Sequence, residues 1–238
     1  MQNWQEEQIL KLPSLSCEKE IFQALIPLAK ELGFEYCSYN LRTPIPISRP
    51  HTVSLNNFPE EWQTHYKKEN YVSVDPTITH CMHSDLPIIW NEEAFSSTPK
   101  LWQEAQNHGL RFGWAQSSRS INGVNGMLTL VRSNQEVTEE ELKEKSLKMS
   151  WLAQVAHQAL SRHIAPKLLP ELKVHLTKRE ISTLRWTGEG KTSSEIAEIL
   201  NIKERTVNFH LTNAKRKLNS VNKTAAATRA AMLGLISY

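Results

Sequence analysis

Between residues 57 and 114 the chain gathers side chains that could hold a small polar molecule inside an apolar enclosure. Trp62, Tyr66 and Trp90 each present a ring with one polar tip, and Asp75, one of two aspartates in 238 residues, adds an acceptor beside Pro76. Rings with single polar tips around one carboxylate suit a cavity that orients a ligand by a few hydrogen bonds and grips the rest by contact. The same residues would serve equally as an ordinary core, with Asp75 capping a helix opened by Pro76, and spacing alone leaves both readings open. A second cluster has different chemistry. Arg205, Asn208, Thr212, Lys215 and Arg216 lie on one side of a stretch whose other side carries Val207, Leu211, Ala214 and Leu218. Cations and amides so displayed suit phosphates and base edges; a merely solvated helix face is the bland alternative.

The elements that must display the second cluster are written locally. Thr177 with Glu180, and Thr192 with Glu195, are capping boxes, each offering a hydroxyl and a carboxylate to otherwise unpaired N-terminal amides. Gly188 and Gly190 break the first helix, the second covers residues 193–200, and Asn201 tolerates the left-handed turn that follows. A third helix, beginning near Lys203, carries the apolar stripe that must pack on the first two. A short capped helix, an Asn turn and a basic helix together predict a helix-turn-helix and favour DNA over solvent for that face.

Upstream, apolar spacing predicts a helix over residues 18–32 stopped at Gly33, then strands over 34–41 and 52–55 separated by a proline-dotted loop. Helices follow over 59–68 and 76–82, each with proline in its first turn, then a strand over 86–90 and a helix over 100–107. Strands over 112–120 and 126–132 flank the Asn122-Gly123 turn signal, and Thr138 with Glu141 caps a long helix over 138–163. Antiparallel strands with helices before, between and after them predict a sheet covered on both faces. Residues 165–175, with two prolines, read as a linker.

Composition excludes several classes. Hydrophobic content of 39%, charge of 22% and a mean hydropathy of −0.46, without a long apolar run, predict no membrane span. Residues 1–16 lack the basic start and apolar core of a signal peptide, so a cytoplasmic location is expected. Cys17, Cys37 and Cys81 are odd in number and far apart, which predicts reduced thiols; His80, Cys81 and His83 lack a fourth ligand, and no metal is expected. There is no G-x-S-x-G, P-loop or G-x-G-x-x-G, and too few aspartates for a phosphoacceptor domain, so neither an enzyme nor a phosphorelay receiver is expected. The net charge of +3 divides unevenly: from Glu171 onward 12 Lys and Arg face 6 Glu and no Asp, while the preceding residues carry 16 against 19. A basic end on a slightly acidic body predicts nucleic acid bound at that end.

The block Thr177, Glu180, Leu184, Trp186-Thr187, Gly190-Lys191-Thr192, Glu195-Ile196-Ala197, Thr206-Val207-Asn208-Phe209-His210 and Lys217-Leu218 resembles the C-terminal DNA-binding domain of LuxR-type transcription regulators. Trp62, Tyr66, Asp75, Pro76, Trp90 and Gly113 are similar to the signature positions of the acyl-homoserine lactone-binding domain of LuxR-type quorum-sensing receptors, so the likeness spans almost the whole chain. The resemblance implies that the Trp62 indole donates to the lactone carbonyl, that Asp75 accepts from the ligand amide, and that the Thr129 hydroxyl meets the amide carbonyl. A ligand with two carbonyls, one N–H and an apolar tail calls for an apolar cavity with a few placed polar groups, and a buried carboxylate needs such a donor. Ser38, Asn40, Tyr66, Ile78, Met82, Leu101, Trp102, Leu110 and Met127 are the expected walls, with the two methionines as adaptable packing. Trp90 joins them from the signature. The chain departs from the family at Phe58, where Tyr is usual and which is expected to face the ligand, and in the stretch W-A-Q-S-S-R, which lacks a proline often found there.

The expected fold class is α+β: an N-terminal α/β/α sandwich with an antiparallel sheet, plus an all-α C-terminal four-helix helix-turn-helix domain. Residues 1–164 are expected to bind autoinducer and dimerise, 165–175 to link, and 176–238 to bind DNA through Lys191, Thr192, Lys203, Arg205, Thr206, Asn208, Thr212, Lys215 and Arg216. The expected function is ligand-responsive control of quorum-sensing genes by a homodimer that takes an N-acyl-homoserine lactone and a palindromic double-stranded operator. RNA polymerase is a further expected partner, and no cofactor is expected. The long helix, and an Ala-rich helix over 223–235 with Ala225, Thr228 and Met232 on one stripe, are the expected dimer surfaces. The alternative is a regulator of the same family that answers to a different effector or a protein partner.

Overall fold

A computed structural model describes residues 9 and 11–236; the first eight residues, part of the stretch read above as lacking a signal peptide, lie outside the described residues. Chain contacts define two units. One holds the sheet and the helices through Ile164, and the other holds the chain from Ala165 onward with two short loops, Thr43–His51 and Ser120–Val124.

In the first unit the order is α1 (Glu18–Glu31), β1 (Tyr36–Arg42), β2 (Thr52–Asn56), α2 (Glu60–Lys68), α3 (Pro76–His83), β3 (Ile88–Ile89), α4 (Pro99–Asn107), β4 (Phe112–Arg119), β5 (Asn125–Arg132) and α5 (Glu139–Leu168). The strands form one antiparallel sheet in the order β2-β1-β5-β4-β3. A sheet wet on one side would alternate in exposure, whereas β4 and β5 are buried along almost their full length because both faces are covered. Register places Tyr36, Ser38 and Asn40 beside Val131, Thr129 and Met127, and these beside Gly113, Ala115 and Ser117, on one face. Tyr39, Leu128 and Gln116 lie on the other.

That second face is tied to α5. The Tyr39 hydroxyl lies 2.8 Å from His157 Nδ1, and a Cβ on Gly126 would come within 2.3 Å of the same imidazole, so glycine is required there. Ser150 Oγ donates to Gln116 Oε1 at 2.7 Å. At the sheet's end the buried Arg132 guanidinium donates to both Glu141 oxygens, at 2.9 and 2.5 Å, and Lys145 Nζ joins at 2.8 Å. The Arg132 bonds, against the opposing effect of burial, hold the Glu141 carboxyl below the usual carboxylate range.

Two expectations change in the strands and helices named so far. The strand expected over 86–90 is reduced to Ile88–Ile89, since Pro87 has no amide to donate to the ladder. The helix expected to stop at residue 163 runs to Leu168, so the start of the 165–175 segment is helical and a 3-10 turn, Pro170–Lys173, follows. Pro166 forfeits one amide near the helix end, while the Leu169 amide still reaches the Ala165 carbonyl at 2.8 Å and Ile164, Ala165 and Leu169 are buried.

The second unit contains α6 (Lys178–Gly188), α7 (Ser193–Leu200), α8 (Glu204–Lys217) and α9 (Lys223–Met232). Both capping boxes form, and Asn201 ends α7 in the left-handed region at φ 49. Leu184, Ile196, Val207, Leu211, Ala214, Leu218, Ala226 and Ala230 make one core, which explains why the apolar stripe of α8 must face inward. Lys217 Nζ reaches the buried Glu180 Oε2 at 2.7 Å, tying α8 to the start of α6. Burial pushes the Glu180 carboxyl up, but the bonds from Lys217 and Thr177 outweigh it and leave the group below its ordinary value. The helix expected over 223–235 ends at Met232, where Gly234 takes a positive φ of 68°. Among the described residues no helix is long and apolar enough to cross a membrane.

Candidate functional site

The first sheet face is closed over by α2, α3 and α4. Val131 packs with Trp62, Tyr71, Trp90, Phe95, Leu101, Ala105 and Leu110, while Ala115 and Met127 pack with Cys81, Ile78 and Ile88. Pro76 opens α3 and Asp75 caps it, its Oδ1 accepting from the Thr77 amide at 2.8 Å and the Thr77 hydroxyl at 2.6 Å. The other oxygen, Oδ2, accepts from the Tyr66 hydroxyl at 2.8 Å. Burial, with the Asp75 charge adding to it, pushes the Tyr66 phenol far above its usual range, so at neutral pH it remains a donor. Asp75 is therefore held in one orientation from both sides while Oδ2 keeps lone-pair capacity for a further donor.

On the covered sheet face lies Thr129, 2% exposed, in register with Ser38 and Ala115, and its hydroxyl has no hydrogen-bond partner. A buried hydroxyl left unpaired costs about 1–3 kcal/mol, which a ligand carbonyl would relieve. The Trp90 indole N–H is likewise buried and unpaired. Its ring lies flat on Gly113, where a Cβ would sit 2.5 Å from Trp90 Cδ2. This explains a glycine near the start of a buried strand.

Trp62, 4% exposed, is boxed by Tyr66 at 5.7 Å, Tyr71 at 6.2 Å and His108 at 5.3 Å between ring centroids. Glu104 on α4 locks that box: its Oε2 accepts from the Tyr71 hydroxyl and lies 2.6 Å from His65 Nε2. Among the remaining expected wall residues, Ser38, Leu101, Leu110 and Met127 are buried, Asn40 and Ile78 are half-buried, and Trp102 stacks on Phe95 at 4.8 Å. Phe58 meets Tyr36 edge-on at 6.3 Å. Met82 departs from its expected place in the wall. It is 39% exposed and its sulfur accepts from Arg42 at 3.1 Å, because one residue earlier Cys81 takes the inward position on the helix. Sequence reasoning missed Tyr71, Phe95, Ala105 and Glu104. Tyr71 stood in the same aromatic stretch as Asp75, whereas Phe95 and Glu104 carry no local signal. His80 and His83 each meet a backbone carbonyl, and among the described residues no cluster could hold a metal ion.

In the second unit, Thr192, Lys203, Arg205, Asn208, Thr212 and Arg216 are exposed and Lys191, Thr206 and Lys215 half-buried along α7 and α8. Lys203, Arg205, Lys215 and Arg216 have no carboxylate partner among the described residues, so their charge is available to phosphates. Lys191 instead lies 3.5 Å from Glu195. Asn208 Oδ1 accepts from Ser193 Oγ at 2.8 Å, which holds its amide against α7.

Comparison with known proteins follows the same division. Residues 18–160 match the family described as autoinducer binding domain, and residues 174–230 match bacterial regulatory proteins of the luxR family. The transcriptional activator protein AnoR of Acinetobacter nosocomialis is 44% identical over 238 residues, covering 99% of this chain and all of its own length. The regulatory protein SdiA of Escherichia coli (strain K12) is 35% identical over 234 residues, covering 98% of this chain and 97% of its own. A crystal structure of SdiA superposes with a TM-score of 0.86 over 99% of this chain and 98% of that one, at 35% identity. SdiA in complex with octanoyl-rac-glycerol gives 0.84 over 99% and 96%, at 34% identity.

Proposed function

The chain belongs to the LuxR family of autoinducer-binding, DNA-binding transcription regulators, and on that premise we propose that its autoinducer is an N-acyl-homoserine lactone, held against the first sheet face by Trp62, Asp75 and Thr129. The observations that carry this reading are an oriented, buried Asp75 carboxylate at the head of α3 and an unpartnered, buried Thr129 hydroxyl on the sheet face against which α3 packs. One acceptor for an amide N–H and one donor for an amide carbonyl are what an acyl amide demands. Tyr66, Trp90, Phe58, Ser38, Asn40, Ile78, Leu101, Trp102, Leu110 and Met127 supply the surrounding surface. Residues 1–164 form the ligand domain, 165–175 the connection and 176–238 the DNA-binding domain, acting in the cytoplasm as a homodimer on a palindromic operator and engaging RNA polymerase. Leu147, 84% exposed on α5, and Thr228, exposed on α9, suit surfaces that a second copy would cover; a monomer at micromolar concentration with ligand and operator present would remove the dimer.

Mass spectrometry of the small molecule copurified from cells supplied with N-acyl-homoserine lactones tests the ligand. Intact lactone at one per chain is expected; its absence overturns the reading, and a hydrolysed product would point to turnover. The SdiA complex favours a second occupant, an acylglycerol, for which Asp75 would accept from a hydroxyl rather than an amide. Competition between the two ligands separates them: the lactone should displace octanoylglycerol, and Asp75→Asn should erase that preference.

A further inference from the structure

We propose that Phe209 is a specificity-determining residue that reads a thymine methyl group from the centre of the exposed face of α8. Its ring is 62% exposed, although the neighbouring stripe of α8 offers a core into which an apolar side chain could turn. Helical spacing explains why it stays outside. Arg205 lies four residues before it, Thr212 three after and Arg216 seven after, and all three are exposed, so the phenyl ring sits in the middle of the polar face with a cation toward each end. The His210 ring meets it edge-on at 5.6 Å.

DNA is the partner whose chemistry matches this arrangement. Lys203, Arg205, Lys215 and Arg216 have no carboxylate partner among the described residues, so an apolar protein surface docking on the ring would have to strip water from unpaired cations, whereas phosphates would neutralise them. In the major groove the thymine C5-methyl is the apolar group on display, and a phenyl ring is among the side chains that contact it. Asn208, the neighbouring candidate for base reading, has its Oδ1 engaged by Ser193 at 2.8 Å, and bidentate reading of adenine would have to compete with that bond. The inference rests on DNA recognition by α8.

The test uses the full-length chain and a duplex enriched by it from a random library, with each thymine replaced in turn by deoxyuracil, which lacks the methyl. At one or more positions wild type should bind about fourfold more weakly, the worth of one buried methyl group. At those positions Phe209→Ala should bind thymine and deoxyuracil duplexes equally, and Phe209→Leu should keep part of the difference. Melting temperature should match wild type, since the ring is not among the side chains packed on the helical core, and the salt dependence should be kept, since a phenyl ring displaces no counterion. Indifference of wild type to every replacement overturns the proposal, as does a Phe209→Ala protein that keeps the same dependence. So does a Phe209→Ala protein that binds DNA normally and fails only in transcription, which would assign the ring to a protein partner. Failure to enrich any duplex would instead remove DNA recognition by α8 itself.

Discussion

In the sheet unit the buried Trp90, Thr98, Trp114, Ser118 and Thr129 each keep a polar side-chain atom without a hydrogen-bond partner, whereas among the described residues of the helical unit none does. The helical unit satisfies these buried polar atoms within itself: Glu180 closes a capping box and pairs with Lys217 on α8, and Thr183 and Thr187 bond back to carbonyls within α6. The residues proposed to meet DNA are exposed or half-buried on its surface. The sheet unit turns these polar atoms inward and leaves them unpaired, a cost borne by the rest of that unit's packing. A surface that binds a polyanion can be complete before its partner arrives; an enclosure for a small molecule is completed by its occupant.

The largest expected effect separates the units directly. A lactone that completes the enclosure binds only the folded state and should add about 2.7 kcal/mol at a hundredfold excess over Kd. Peptide-resolved hydrogen exchange should show the added protection in α2, α3 and β5 and none in α6 to α8. Equal protection in both units would break the comparison, and no protection with lactones of any acyl length would remove the receptor reading.

Next in size, Glu180→Gln should destabilise the helical unit by about 2 kcal/mol, because a hydrogen-bonded charge is removed and Lys217 loses its partner. The effect should depend on pH. Glu180 and Glu141 both have folded values lowered from the unfolded one, so their contribution is complete above about pH 4.3 and is lost as pH falls through the folded values. Acid melting curves should therefore converge for wild type and Glu180→Gln; a gap that persists at the lowest pH would assign the loss to packing.

A smaller effect should run in opposite directions with and without ligand. Thr129→Val removes an unpaired hydroxyl at constant shape and should stabilise the ligand-free sheet unit by about 1 kcal/mol, while weakening lactone binding by a similar amount. Thermal melts at matched lactone concentrations check both signs, and destabilisation of the free protein would show that the hydroxyl is already satisfied.

The smallest change concerns Phe58, half-buried and edge-on to Tyr36. A phenol there offers one more donor toward the ligand, and a neutral hydrogen bond nets roughly 0.5–1.5 kcal/mol, so Phe58→Tyr should tighten binding about two- to tenfold. Titration of both proteins decides it. No gain, with stability unchanged, would place the ring away from the ligand.

The sequence by itself determined what depends on neighbours three or four positions apart. The two capping boxes, the left-handed Asn201 and Asp75 at the head of a helix opened by Pro76 are present where the residues predict them because each is satisfied within one turn of backbone, and the stripe of α8 is legible because its apolar residues recur at helical spacing. Only the tertiary structure decided matters that cross the chain. Glu104 meets Tyr71 and His65 from 33 and 39 residues away, and Gly113 is glycine because of the Trp90 ring laid on it. Cys81 rather than Met82 faces the sheet, since a helix rotates 100° per residue and its buried side is chosen by the sheet beneath. Burial also carried α5 through Pro166, where a local signal for a stop was outweighed by apolar side chains on that turn. Local hydrogen bonding is encoded along the chain, whereas the pairing of distant polar atoms exists only once packing has brought them together.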